Sequence, residues 1–319
     1  MADIKKNVYR ITASSADSGL RLDQFIADRC DDLSRTLVRK IIDLGGVHLD
    51  GRRTRRSGQT VTAGQSVEAY LDGGSFTPFR LTPEQVLYQD RYLIGLNKPA
   101  GVATQPTPAR YKGTLYESLS VYLPVKGKQR KPGIGMVQRL DRDTSGVMVF
   151  SIHPQAHKPL TESFRNKQVR KLYLALVAGQ MDEPEGVITS ELARRRSTNL
   201  MVSVKKGGKY AETRYRVLEK FGRASLLEVE IPTGRSHQIR AHFSEQGHPL
   251  LGDTAYGGSG TLNGMKIPRQ MLHACELQLN HPVTGEGMVL KAELPEDFQQ
   301  VLDRLRILAT EHNQSQKLD

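Results

Sequence analysis

Short β-like runs punctuate this chain at residues 93–96, 147–150, 172–177 and 226–231, and they alternate with helical stretches at 155–167 and 236–246. Such a mixture predicts an α+β domain built on a large, mostly antiparallel mixed sheet with flanking helices and loops. No apolar stretch approaches the roughly 20 residues a membrane helix needs, so no transmembrane span is expected. The opening Met-Ala-Asp-Ile-Lys-Lys has no apolar core behind its charges and does not read as a secretory signal. Two cysteines, Cys30 and Cys275, with no Cys-x-x-Cys spacing, exclude a disulfide framework and a thiolate zinc site as organising principles. The expected location is the cytoplasm.

Periodicity divides the chain further. Residues 1–17 read as a polar arm. Leu22, Phe25 and Ile26 share one helical face, and a second helix follows Ser34 with Leu37, Val38 and Ile41 turned inward and Gly45 or Gly46 ending it. Val47 and Leu49 alternate into an Asp50-Gly51 turn, so residues 18–72 form a small module of two helices and a hairpin. Gly, Ser and Pro concentrate in the linker 73–84; the larger domain spans 85–308, ending in an amphipathic stretch, and 309–319 is a frayed tail.

Charge then points to a partner. Lys plus Arg number 46 against 34 Asp plus Glu, a net +12, and the excess is clustered. Residues 51–58 carry Arg52, Arg53, Arg55 and Arg56 without an acid; Lys126, Lys128, Arg130 and Lys131 form a second run. Arg165, Lys167, Arg170 and Lys171 form a third, and residues 194–209 a fourth. Any one run reads as a solvated loop, but four with no balancing acidic block favour nucleic acid.

Two segments bear chemistry. Gln138-Arg-Leu-Asp-Arg-Asp-Thr-Ser-Gly146 places Arg139, Asp141, Arg142 and Asp143 between two apolar strands. Asp143 fits a turn, whereas Asp141 lies deeper in the crowded segment. Ile231-Pro-Thr-Gly-Arg-Ser-His-Gln-Ile-Arg-Ala-His242 turns at Gly234 into a helix, where Arg235 and Arg240 make an anion-binding corner. No phosphate loop or dinucleotide fingerprint is present, and His237 and His242 are wrongly spaced for a metal on one helical face.

Together with Asn97-Lys-Pro-Ala-Gly101, Lys171-Leu-Tyr-Leu-Ala-Leu-Val-Ala-Gly179, Gly208-Lys-Tyr-Ala-Glu-Thr-Arg-Tyr215, Gly252-Asp-Thr-Ala-Tyr-Gly257, Leu272-His-Ala274 and His281-Pro-Val-Thr-Gly-Glu286, these segments resemble the ordered motifs of RluA/RluC/RluD-type pseudouridine synthases. Arg21-Leu-Asp-Gln-Phe25, Leu33-Ser-Arg35 and residues 44–51 resemble the αL RNA-binding motif of the ribosomal S-four type. The resemblance implies an isomerase that breaks the N1–C1′ bond of a uridine in RNA, turns the base and rejoins it through C5. It further implies that Asp141 is the indispensable carboxylate, as nucleophile at C1′ or base at C2′, paired with Arg240, which favours its ionised form. Tyr173 matches the tyrosine against the target base, Arg139 is the candidate for the vacated stack, and Arg35, Arg39, Arg52, Arg53, Arg55 and Arg56 would face RNA phosphates. Arg235 is expected to bind RNA as well. Gln138 and Gln105 stand where the family usually or often has His. No cofactor and no metal is expected. The expected partner is large-subunit ribosomal RNA, met by a monomer with no DNA or membrane partner. A non-catalytic RNA-binding ribosome-assembly factor is the rival reading, and DNA binding lacks any supporting motif.

Overall fold

The computed structural model describes residues 7–124, 133–262 and 264–315, which divide into two units. Unit 1 takes in the chain up to Thr82 and a second passage beginning at Gly101; unit 2 takes in Pro83–Ala100 and the chain from Gly133 onward. The basic run Lys126, Lys128, Arg130 and Lys131 lies outside the described residues.

Unit 1 comprises β1 (Asn7–Thr12), α1 (Leu22–Arg29), α2 (Arg35–Leu44), β2 (Val47–Leu49), β3 (Arg52–Thr54), β4 (Ser66–Leu71) and, on the second passage, α3 (Leu115–Tyr122). Its strands form an antiparallel sheet in the order β1-β4-β2-β3. The α2 caps match the sequence: the Leu37 amide donates to Ser34 Oγ at 3.3 Å, and Gly45 at φ 86° closes the last turn. Asp50 at φ 50° and Gly51 at φ 73° make the left-handed pair that turns β2 into β3. Phe25 and Ile26 of α1 and Val38 and Ile41 of α2 pack with Val47 and Val67 of the sheet.

Two boundaries differ from those expected. Residues 7–12, read as part of a polar arm, are a strand that covers the edge of β4, and Tyr9 and Ile11 reach the core from it. Residues 101–124, expected in the larger domain, belong to unit 1: the Tyr111 amide donates to the Leu44 carbonyl at 2.7 Å, Arg110 Nε to Asp72 at 2.9 Å and Ser118 Oγ to the Phe79 carbonyl at 2.8 Å.

Unit 2 begins with β5 (Val86–Gln89), β6 (Leu93–Lys98), β7 (Gly135–Met136), β8 (Ser145–Ser151), α4 (Pro154–Arg165) and β9 (Arg170–Ala178). It continues with β10 (Glu185–Arg194), β11 (Met201–Val204), β12 (Lys209–Lys220), β13 (Ala224–Glu230) and α5 (Gln238–Glu245). The last elements are β14 (Thr261–Leu262), β15 (Met265–Lys266), β16 (Leu272–Asn280), β17 (Gly287–Lys291) and α6 (Glu296–Ser315). An eleven-stranded sheet runs β11-β10-β12-β13-β9-β16-β8-β6-β5, with β17 beside β16 and β7 beside β8. Among the described strands β16 and β8 pair parallel, through Ser145 and Gly146, and the other pairings are antiparallel, giving the mixed, mostly antiparallel sheet expected of an α+β domain. Ala156 and Leu160 of α4 pack on Val147 and Val149. Phe298, Val301, Leu302 and Leu305 of α6, at helical spacing, cover Leu176 and Leu226. That helix runs on to Ser315, through the segment from 309 that was expected to fray. No helix among the described residues is long and apolar enough to cross a membrane.

Candidate active site

Asp141 sits in the loop between β7 and β8, and buried cations fix the backbone around it. Lys98, at the end of β6 and fully buried, donates Nζ to the carbonyls of Pro99 at 2.8 Å and Arg142 at 2.9 Å. Arg269 donates Nη1 to the Asp143 carbonyl at 3.1 Å while its Nε holds Asp297 at 2.6 Å, and Gln270 Nε2 reaches Thr144 Oγ1 at 3.1 Å. Burial pushes the Lys98 amine down to about 7, against the attraction of Asp143 and Asp141. Asp143 itself pairs with its neighbour Arg142 at 3.0 Å.

The helix α5 brings Arg240 to this loop, 99 residues away in sequence: Arg240 Nη1 donates to Asp141 Oδ2 at 2.9 Å. Its remaining face is gripped by Asp253, with Nε to Oδ2 at 2.6 Å and Nη2 to Oδ1 at 2.8 Å, and its guanidinium carbon lies 4.8 Å from the Tyr256 ring centre. Burial works against the charge on Arg240, but the hydrogen bonds and charge of Asp253, with Asp141 behind them, hold it protonated.

His237 meets the other carboxylate oxygen, with Nε2 3.8 Å from Asp141 Oδ1. Its Nδ1 lies 2.9 Å from the Tyr256 hydroxyl, and that hydroxyl already accepts the Met201 amide at 2.8 Å. The Tyr256 hydroxyl can both donate and accept, so it meets neutral His237 with the ring proton on either nitrogen. Burial lowers the His237 pKa and keeps the ring neutral, although Asp141 pulls the other way. The residue holds φ 50°, a left-handed conformation at the helix entry that a side chain adopts at a cost.

These groups line an open cavity of about 680 Å³. Tyr173 of β9 lies on its wall, buried except for 7% of its surface, and burial followed by the charge of Asp141 pushes its phenol well above the ordinary range. Arg139 is exposed at the same cavity and Arg235 half-buried there, its Nε donating to the Tyr210 carbonyl at 2.8 Å. Gln138 also lines it, with Nε2 buried and without a partner. The structure thus brings Asp141, Tyr173, Arg240, Arg139 and Arg235 to one cavity. Asp253 and Tyr256 complete the cluster and were not singled out from the sequence, although the phrase 252–257 contains both; His237, weighed there only as a metal ligand, joins them. No group of three His, Cys, Asp or Glu among the described residues is placed to hold a metal.

The expected RNA-facing arginines of unit 1 separate into two sets. Arg35 and Arg39 converge with Arg21 on the fully buried Asp23, at 3.3, 2.6 and 3.1 Å. Burial resists ionisation of that carboxyl, but the three guanidinium groups outweigh it and hold the pKa far below the usual range. Arg53 is half-buried, donates to the Thr107 carbonyl and lies 5.8 Å from the centre of the Tyr111 ring. Arg52, Arg55 and Arg56 are exposed and, with Arg53 and Lys112, line a shallow basic depression.

Comparison with known proteins gives a concordant picture. A family model described as RNA pseudouridylate synthase matches residues 92–245. An uncharacterised RNA pseudouridine synthase of Chloroflexus aurantiacus is 39% identical over 298 residues, covering 92% of each chain. Ribosomal large subunit pseudouridine synthase D of Nitrosomonas europaea is 33% identical over 311 residues, covering 95% of this chain and 89% of its own. Among solved structures, human RNA Pseudouridylate Synthase Domain Containing 4 superposes with a TM-score of 0.59 at 27% identity, over 70% of this chain and 93% of that one.

Proposed function

The chain belongs to the RNA pseudouridylate synthase family, and from that premise we propose that Asp141 is the carboxylate that acts on the ribose of a uridine everted into the cavity, with large-subunit ribosomal RNA as the substrate. The enzyme isomerises uridine in RNA: the N1–C1′ bond opens, the base turns, a C5–C1′ bond forms, and the proton lost from C5 is balanced by one gained at N1. The observation that carries the assignment is the 2.9 Å Arg240–Asp141 pair on the wall of an open cavity. Arg240 keeps one carboxylate oxygen oriented and Asp253 keeps Arg240 in place, so the pair is set before RNA arrives. Atoms move only within one nucleotide, and no added electron or group donor enters the reaction.

A uracil cannot turn about its sugar bond inside a helix, so the nucleotide leaves the stack at a cost of a few kcal/mol. Tyr173 offsets part of that cost by giving the uracil a ring to stack on, worth roughly 1–3 kcal/mol. Its phenol is held neutral by burial, which makes it a surface and a hydrogen-bond donor rather than a ready base. Arg139, exposed at the cavity mouth, takes the place the base leaves, and Arg235 binds the strand beside it. In unit 1 the α1–α2–β2–β3 portion acts as an S-four-type RNA-binding module. There Arg52, Arg55 and Arg56 meet phosphates directly, Arg53 supports them from beneath, and Arg35 and Arg39 offer to RNA the guanidinium edges that Asp23 leaves free. The protein acts as a monomer in the cytoplasm. The 33% identity to a large-subunit enzyme supports the ribosomal substrate, and the assembled acid–guanidinium pair disfavours a non-catalytic assembly factor.

The test is tritium release from 5-tritiated uridine in an unmodified transcript of large-subunit ribosomal RNA. Asp141→Asn and Asp141→Ala are expected to lose at least a thousandfold in rate, about 4 kcal/mol, while binding RNA with parental affinity. Turnover within tenfold of the parent would remove the assignment. A primary isotope effect with C2′-deuterated uridine marks the carboxylate as a base, and its absence marks a nucleophile.

A further inference from the structure

Buried or half-buried cations of unit 2 have partners. Arg240 holds Asp141 and Asp253, Arg269 holds Asp297, and Lys98 is capped by two backbone carbonyls. Lys171 is different. It lies partly buried on the wall of the Asp141 cavity, and among the described residues no carboxylate or carbonyl takes a hydrogen bond from its ammonium. Its neighbour Arg170, pointing to the opposite face of β9, is paired with Glu230 at 2.8 Å. The charges that act on Lys171 are instead of its own sign, Arg235 from the β13–α5 loop and Lys167 from the turn before β9. Gly234 has no side chain to fill the space beside it, since a Cβ there would lie 3.7 Å from Nζ. Desolvated like charges without a counter-ion are costly, and an anion relieves the cost.

We propose that Lys171, with Arg235 and Lys167, forms a phosphate subsite that holds the RNA backbone next to the everted uridine. This rests on the uridine isomerase reading of the cavity and names the part of the substrate it takes beyond the base. Lys171 and Tyr173 stand two apart on β9, so their side chains leave one face about 7 Å apart, a distance over which a ribose joins its base to its phosphate. The uracil lies on Tyr173 and the adjoining phosphodiester meets the ammonium. Burial, then Arg235 and Lys167, push the Lys171 amine down to about 8. The other charged groups facing this cavity are Arg139, Asp141, Arg165, Lys167, Arg235 and Arg240; Tyr173 titrates above the window from pH 7 to 9 and His237 below it. Across it the free enzyme loses the Lys171 charge as pH rises, and with it affinity for phosphate.

The experiment measures kcat and KM for tritium release from the same transcript, between pH 7 and 9, for the parent, Lys171→Met and Lys171→Arg. Lys171→Met is expected to raise KM about tenfold at pH 7, the scale of one charge-assisted contact, with most of the loss in KM rather than kcat. For the parent, kcat/KM falls as pH rises through 8; for Lys171→Arg, whose charge does not titrate, KM at pH 7 stays near parental and that fall disappears. A parental KM in Lys171→Met, or an unchanged pH profile in Lys171→Arg, would overturn the subsite while leaving the isomerase reading intact. A parent silent on this RNA would overturn both.

Discussion

At the scale of single residues, the proposed chemistry joins a carboxylate assigned to react with groups that keep it still. Arg240 holds one oxygen of Asp141 by a 2.9 Å ion pair, and His237 Nε2 stands 3.8 Å from the other. His237→Asn keeps a side chain that tolerates a left-handed backbone but cannot span from Tyr256 to Asp141. It is expected to lower kcat about tenfold, near 1.4 kcal/mol, with a smaller change in KM. Protonating His237 perturbs the same contact reversibly, because it sets a cation beside Asp141; its depressed pKa puts that change of kcat below pH 6.5, and the parent's acid limb should flatten in His237→Asn. The motif wording made Asp141, Tyr173 and Arg240 legible in the sequence, because each belongs to a phrase with a family meaning. Asp253 and Tyr256 were not legible as partners of Arg240 and His237, since helix entry and side-chain direction, not spacing, bring them together.

At the scale of elements, the loop that carries Asp141 depends on one close approach. Gly146 opens β8 at φ 118°, and a Cβ there would lie 2.1 Å from the Ala274 carbonyl oxygen of β16, the parallel neighbour that also carries His273 against Ser145. Gly146→Ala forces β8 and β16 apart five residues from Asp141. It is expected to cost 3 kcal/mol or more, beyond the ordinary range for overpacking, measured as a lowered urea midpoint, and to abolish tritium release. The Asp-Thr-Ser-Gly wording suggests only turn chemistry here; the strand order reveals the crowding. The long pair β10 and β12 escaped notice for another reason. In β12 the exposed Arg214 and Arg216 alternate with half-buried Tyr215 and Val217, so a basic surface hid a two-residue period. By contrast β6, β8, β9 and β13 announced themselves as apolar runs because both faces of the sheet are covered there.

At the scale of the whole molecule, the chain leaves unit 1 at Thr82 and re-enters it at Gly101, so unit 1 cannot be removed by one cut near residue 75. Such a truncation strips Asp72 from Arg110 and the Leu44 carbonyl from Tyr111, and loses fold and RNA affinity together. The cleaner measurement uses Arg52→Gln, Arg55→Gln and Arg56→Gln combined. Affinity for the transcript is expected to fall, and the slope of log Kd against log salt to drop by about 2, at roughly 0.7–0.9 per phosphate contact, with parental thermal stability. An unchanged slope would remove unit 1's arginines from the RNA interface. The carboxylate proposed to react, its guanidinium and the clamp on that guanidinium come from positions 141, 240 and 253. A nascent polypeptide therefore lacks the assembled pair until translation has passed the last of these and the sheet has closed around them.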